Sequence, residues 1–365
     1  MNQHNDLIND YIVALRGIVE VDVVYGGGND IILRGSAIGP FQPTQADLAV
    51  RIASLPGKSE IIGTDPKVVI RIKPPGKVGI KKIPWLNIVL FGLTLFSTLI
   101  VGALGAGIDF LSHPRMFVEE PFKIFMAGMP FSFSLLGILL FHEFGHYIAS
   151  RLHGVEVTLP YFLPFPNIIG TMGAVIRIKS PFISRKQLLD VGAAGPLAGL
   201  AVAIPLVIWG QSHPVLLPET IDPNSLAYFG ESLIFSGLSA LANPDIPQGY
   251  IAALHPVAFA GWVGFLVTML NLLPIGQLDG GHIVYAMFGK IQHRVAYIVI
   301  IALVLLSLFW FGWIIWALLG LVLVRPKHPP TVLDNIKLDG KRMAIGYLCL
   351  AIFILCFVPV PFIVS

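Results

Sequence analysis

A backbone that crosses lipid must satisfy its own hydrogen bonds, so apolar runs of ~20 residues commit a chain to membrane-spanning helices. Several runs in this sequence approach or exceed that length. Near the end of one of them lies Phe141-His142-Glu143-Phe144-Gly145-His146. On a helix, His142 and His146 project from one face, where two imidazoles can grip one metal ion. Glu143 stands one step round, where its carboxylate could reach a water at that metal and take its proton. The plainer reading is a pair of buried, hydrogen-bonded histidines with a structural carboxylate. Three ionisable groups inside an apolar span are costly and usually functional, which favours the metal site.

Composition supports the same environment. With 365 residues, 55% hydrophobic and 12% charged, the chain is not an ordinary soluble enzyme. A lipid bilayer is its expected surrounding, and no nucleic-acid partner is expected. The polar N-terminus shows no short apolar region followed by a small-residue cleavage site, so no cleavable signal peptide is expected. Cys349 and Cys356 are seven residues apart, share a helix face, and read as packing residues rather than a disulfide.

Residues 1–80 read as a small soluble α/β domain, with a transmembrane domain over 83–365. Leu7, Ile8, Tyr11, Ile12 and Leu15 recur at helical spacing. The alternation Val19-Glu20-Val21-Asp22-Val23 predicts a strand, turned by Gly26-Gly27-Gly28-Asn29 into a second at Ile31 to Arg34. A helix from Thr44 to Leu55 would bury Leu48, Ile52 and Leu55, and Val68 to Lys73 is the last strand. The glycine trio is a hairpin turn rather than a phosphate loop, because no helix start or lysine follows at the required spacing.

Seven spans are expected. The first four fit Trp85 to Gly107, about Gly128 to Leu152, Leu188 to Trp209 and Val257 to Leu273, and the last fits Ile345 to Ile363. Between the third and fourth, Ser232 to Leu241 is a helical piece lying on the membrane surface. The run from Ala296 to Val324 would make one helix of about 44 Å, against a hydrocarbon core of ~30 Å. A hairpin of two short helices turning near Phe311-Gly312 is preferred, because it keeps Lys290, Arg294, Arg325 and Lys327 on one side. Then every Lys/Arg-rich segment, including Lys67, Arg71, Lys73, Lys77, Lys81 and Lys82, shares a face. The segment from Gln211 to Pro256, with Glu219, Asp222, Glu231 and Asp245 and no Lys or Arg, takes the other. The positive-inside rule makes the basic face cytoplasmic, so the expected location is the cell's inner (plasma) membrane with the N-terminus cytoplasmic.

A catalytic zinc commonly keeps three protein ligands and one open position. Glu156 is only ten residues past His146, a short return to the metal. Asp279 is the better third ligand, in Asn271-Leu272-Leu273-Pro274-Ile275-Gly276-Gln277-Leu278-Asp279-Gly280-Gly281-His282. Pro274 ends the helix, the glycines let the backbone turn, and Asp279 can point back toward the end of span two. An isolated Asp-Gly-Gly would be a plain turn, but here it shares a leaflet with the histidines. Asn271 could hydrogen-bond a substrate or a ligand, or only pack the helix end.

At His142, Glu143, His146, Leu278, Asp279 and Gly280 the chain resembles the site-2 protease family of intramembrane zinc metalloproteases. The resemblance covers about 129–290 and includes Gly192-Ala193-Ala194-Gly195-Pro196-Leu197-Ala198-Gly199, which is similar to the family's small-residue helix motif. His328-Pro329-Pro330-Thr331 resembles bacterial and plastid members, and there is no room for a PDZ domain between the two motifs. The resemblance implies one zinc per chain on His142, His146 and Asp279, with Glu143 as general base and a transmembrane protein as substrate. It also implies a membrane-embedded β segment that receives the substrate, for which Val155 to Leu159 and Ala174 to Ile178 are the strand candidates. A re-entrant amphipathic loop is the plainer reading of that segment. The competing class is a membrane metal transporter or a non-catalytic metal-binding receptor. Transport would favour several half-buried sites along a path, whereas one cluster is found.

Overall fold

The computed structural model describes residues 2–27, 30–39, 42–64, 67–74, 83–221, 228–242 and 244–363. Gly28 and Asn29 of the expected turn, Lys77, Lys81, Lys82 and Asp222 lie outside the described residues.

The N-terminal region contains α1 (Asn2–Leu15), β1 (Val19–Gly27), β2 (Asp30–Ala37), α2 (Gln45–Ile52), β3 (Lys58–Gly63) and β4 (Val68–Lys73). Its four strands pair antiparallel in the order β1-β2-β4-β3. Successive strand residues point to opposite faces, so Ile31, Leu33, Ile70 and Ile72 meet Leu7, Tyr11, Leu15, Leu48 and Ile52 of the two helices. Ile32 and Val69, on the other face, pack against Ile183 and Val332 of the membrane region. Burial on both faces explains the nearly continuous apolar β4. Thr44 begins α2 through a capping box with Asp47, and α2 buries Leu48 and Ile52 while Leu55 is half-buried. The sequence pattern does not mark the edge strand β3, because Lys58–Gly63 carries only two adjacent apolar residues.

The remaining elements are α3 (Trp85–Gly105), α4 (Met116–Glu119), α5 (Pro121–Leu152), β5 (Tyr161–Pro164), β6 (Thr171–Val175) and α6 (Arg185–Ser212). They continue through β7 (Val215–Pro218), β8 (Tyr228–Phe229), α7 (Leu233–Ala242), β9 (Tyr250–Ala253), α8 (Pro256–Asn271) and α9 (Asp279–Phe288). The last are α10 (Ile291–Leu306), α11 (Gly312–Leu318) with a π-helical extension Leu319–Val324, α12 (Gly340–Cys356) and β10 (Phe362–Ile363). Among the described residues, α3, α5 and α6 are long and apolar enough to cross a membrane, while α7, α8, α10 and α11 are shorter apolar helices. The protein is therefore an α-helical membrane protein with an N-terminal α/β region.

Helix ends follow local chemistry. Helix α5 starts before the expected Gly128 because Pro121 suits the first helical turn, where its missing N–H costs nothing. Ser184 and Asp339 cap α6 and α12 by accepting from Gln187 and Arg342 N–H groups, which sets both starts earlier than expected. The run 296–324 breaks at 307–311, and Gly320 comes back beside Ile300 and Ile275. The hairpin strands lie at Tyr161–Pro164 and Thr171–Val175: the second overlaps the expected 174–178 at Ala174 and Val175, and the first lies wholly beyond the expected 155–159. Pro160 supplies no N–H to a ladder, so only an isolated Val157–Ile178 bridge forms before it. Cys349 and Cys356 are free and buried.

Helices α5, α6, α8 and α9 form the centre of the apolar core. Lipid tails leave little drive to associate apolar faces, so such helices approach through small residues. Gly145 of α5 lies against the Ala194 carbonyl of α6, where any Cβ would collide with it.

The sheet contact with Val332 requires the N-terminal region and the loop before α12 to share one side. Reporters at the N-terminus and at Asn335 are expected to read the same compartment, with a C-terminal reporter in the other. Opposite readings for the first two would separate the sheet from Val332.

Candidate active site

His142, Glu143 and His146 lie buried on α5, and Asp279 is the first residue of α9. The turn from α8 to α9 aims Asp279. Asn271 ends α8, Gly276 takes the left-handed conformation (φ 49°), and Leu278 is extended before the new helix. His146 Nε2 is 3.2 Å from His142 Nε2 and 3.2 Å from Asp279 Oδ2, and the third side, His142 Nε2 to Asp279 Oδ2, is 3.3 Å. Tetrahedral nitrogen and oxygen ligands ~2.0–2.1 Å from zinc stand ~3.3 Å from one another, so the triangle has the dimensions of a zinc site. These atoms form the group of metal-capable side chains found among the described residues.

The orientation of His146 fits the same use. Its Nδ1 is 2.7 Å from the Val191 carbonyl. A carbonyl only accepts, so Nδ1–H donates and Nε2 keeps its lone pair for a metal. Helix α6 makes room for the ring, since a Cβ on Gly195 would overlap the His146 imidazole, with Nε2 nearest. Gly199, one turn on, would bring a Cβ within 3.3 Å of His142. The run 192–199 was legible as a small-residue motif, but its use as the cradle of the imidazoles was not. The Val191 carbonyl has no side-chain signal in the sequence at all.

Glu143 is 5% exposed, and its carboxylate accepts from the backbone N–H of Ile176, just beyond β6. The β5–β6 hairpin thus abuts the motif helix. Helix α3 holds the hairpin from outside. Asn87 Nδ2 donates to the Leu159 and Pro160 carbonyls at 3.1 and 2.7 Å, and Ser97 Oγ to the Gly170 carbonyl at 2.6 Å. Asn271 Nδ2 donates to His142 Nε2 at 3.2 Å, so this residue reaches a candidate ligand rather than only closing its helix. Glu156 is not in the triangle and lies within electrostatic reach of Asp30 in the N-terminal sheet. His282 turns its Nδ1 to His328 Nε2 at 2.7 Å.

The loop after the π-helical segment backs the site. Asp334 accepts from Arg185 Nη2 at 2.8 Å, from Thr331 at 3.0 Å and from Tyr285 at 3.2 Å. Burial works to raise its carboxyl, and these bonds, Arg185 foremost, hold it below the usual carboxylate range. Burial pushes His328 down to about 4, so its ring is neutral at physiological pH.

Filling the cradle should empty the site. Gly195→Val is expected to lower zinc content in detergent-purified, monodisperse protein, as is Asp279→Ala, measured by metal analysis per chain. Full zinc in Asp279→Ala would remove Asp279 from the ligand set.

Residues 130–311 match the model of peptidase family M50. The chain is 32% identical over 243 residues to the probable zinc metalloprotease EGY1, chloroplastic, of Arabidopsis thaliana, covering 64% of this chain and 43% of that protein. It is 30% identical over 282 residues to the probable zinc metalloprotease EGY2, chloroplastic, of Oryza sativa subsp. indica, covering 76% and 50%. With the probable zinc metallopeptidase EGY3, chloroplastic, of Arabidopsis thaliana it shares 26% over 291 residues, covering 72% and 49%. The chain spans about half the length of these relatives. Since His142, Glu143, His146, Asn271 and Asp279 all fall inside the matched segment, the chain belongs to peptidase family M50, the site-2 protease family.

Proposed function

We propose that this protein is an intramembrane zinc metalloendopeptidase that hydrolyses peptide bonds within or near transmembrane segments of membrane-protein substrates. The observation that carries the reading is the His142–His146–Asp279 triangle of zinc dimensions with Glu143 buried beside it on the same apolar helix. One zinc per chain is proposed, held by those three side chains. When bound, zinc supplies a Lewis acid that polarises the scissile carbonyl and lowers the pKa of water toward neutrality. Glu143 takes one proton from the attacking water and returns it to the leaving nitrogen as the carbon–nitrogen bond breaks. Once His142 Nε2 is committed to the metal, the Asn271 amide is released to donate to a substrate oxygen.

A transmembrane helix hides its amides in its own hydrogen bonds, so a stretch must unwind before attack. The β5–β6 hairpin beside Glu143 offers a strand edge to which the unwound segment can bond. We further propose seven spans, a soluble unit over 1–80, and a membrane domain over 83–365 whose protease core covers 129–290. The basic face, with the N-terminal unit, is placed on the cytoplasmic side of the plasma membrane. The relatives' names assign those proteins to chloroplasts, so this placement rests on the distribution of Lys and Arg alone. The transporter and receptor alternatives are not favoured, because the described residues hold one such metal-capable group, inside a peptidase-family segment.

The test separates binding from chemistry. Glu143→Gln should keep wild-type zinc content, since Glu143 is outside the ligand triangle, and should cut a model transmembrane substrate about 10²–10⁴-fold more slowly. Wild-type protein that is reconstituted and zinc-loaded, cuts no member of a broad panel of single-span substrates, and moves zinc across the bilayer would sink the protease reading.

A further inference from the structure

The turn that carries Asp279 is held from behind by residues the reaction does not use. Gln292, in the first turn of α10, is fully buried at 0% exposure. Its Nε2 donates to the Pro274 carbonyl at 3.2 Å and to the Pro326 carbonyl at 3.0 Å, and its Oε1 accepts from the His328 backbone N–H at 3.2 Å. The Pro326 carbonyl also accepts from Gly276 N–H at 3.1 Å. Pro274, Pro326, Pro329 and Pro330 supply no backbone donors of their own. The carbonyls of these two buried loops therefore need a side chain that offers two donors and an acceptor on one planar head, which a primary amide provides.

A second anchor lies on the other side of Asp279. His328 Nδ1 is 2.5 Å from the Pro329 carbonyl and so donates. Its Nε2 must then accept from His282 Nδ1–H, one turn into α9. The segment from Pro274 to His282 is thus gripped at both ends, through Gln292 and through His328, with Asp279 between.

We propose that Gln292 is a positioning residue of the metal centre: by joining Pro274 to Pro326 and His328, it fixes the turn that aims the Asp279 carboxylate at His142 and His146. This rests on the metal-site reading above. Gln292→Glu keeps the shape but sets oxygen against two carbonyl oxygens, and once protonated it offers one donor in place of two. Gln292→Met keeps the length and supplies neither donor.

The experiment uses the full-length protein in detergent. Zinc affinity is read by chelator competition, ligand geometry by the visible absorption of the cobalt(II)-loaded protein, and stability by thermal unfolding of the metal-free form. Val207→Ala, a buried change on α6 outside both anchors, is the control for lost stability alone. We expect both Gln292 variants to bind zinc about 10–100-fold more weakly, with an altered cobalt spectrum, the range typical for partners of metal ligands. Val207→Ala should keep the wild-type affinity and spectrum despite a lower unfolding temperature. If Gln292→Met does not fold, Gln292→Glu carries the comparison. Wild-type affinity and spectrum in the folded Gln292 variants, or a loss no larger than that of Val207→Ala, would overturn the proposal. Failure of the wild type to bind zinc at all would instead overturn the metal-site reading, so the two failures are distinct.

Discussion

A carboxylate and two imidazoles facing one another inside apolar helices depend on solvation that lipid does not provide. The convergence of His142, His146 and Asp279 needs either a divalent cation or protons to be stable, and much of the surrounding structure can be understood as support for it. His146 is turned by the Val191 carbonyl, Glu143 is held by the Ile176 N–H, and Asn271 sits on His142. Each of these bonds gives a buried polar atom a partner and also sets where a lone pair points. In a site of this kind, satisfying hydrogen bonds and aiming ligands are the same task.

Close helix packing is the second requirement. Two helices can deliver side chains to one point only if their axes approach closely. Here glycine provides that approach at Gly145 against Ala194 and at Gly195 against His146. At Gly195 the absent Cβ is the volume the imidazole occupies, so a substitution there acts on His146 itself as well as on packing. Elsewhere a small residue allows only a closer contact, as where Gly102 meets Gly128 between α3 and α5.

The N-terminal sheet joins this arrangement through the loop behind Asp279. Arg34 Nη1 donates to the Val332 carbonyl at 3.2 Å, and Ile32 and Val69 pack on Ile183 and Val332. Val332 lies two residues before Asp334, which Arg185 at the head of α6 holds in a two-pronged ion pair. A polar and apolar path therefore runs from the sheet through Val332 to Asp334 and Arg185 at the head of α6. Asp30 and Arg71 are buried on the same face of the sheet, with Arg71 Nε 3.7 Å from Asp30 Oδ2. Such a pair adds little net stability but strongly disfavours separating its partners.

What the sequence alone determined follows from short-range periodicity. Helical spacing put His142 and His146 on one face, apolar length committed the central segments to helices, and the alternation in β1 and β2 marked strands, because these patterns depend on neighbours within a few residues. Pro274 and the glycines around Asp279, together with the resemblance at Leu278-Asp279-Gly280, pointed to the third ligand candidate, though nothing local could bring it across 133 residues to His146. Tertiary structure decided the rest. It moved the first hairpin strand past Pro160, added the edge strand β3, and gave Asn271 a contact with His142. It also brought in the Val191 carbonyl and the Gln292 amide, a backbone atom and one of several polar residues at the head of α10. Such partners are chosen by which buried donor or acceptor would otherwise go unmet, and that depends on how the helices pack, which no local stretch of sequence contains.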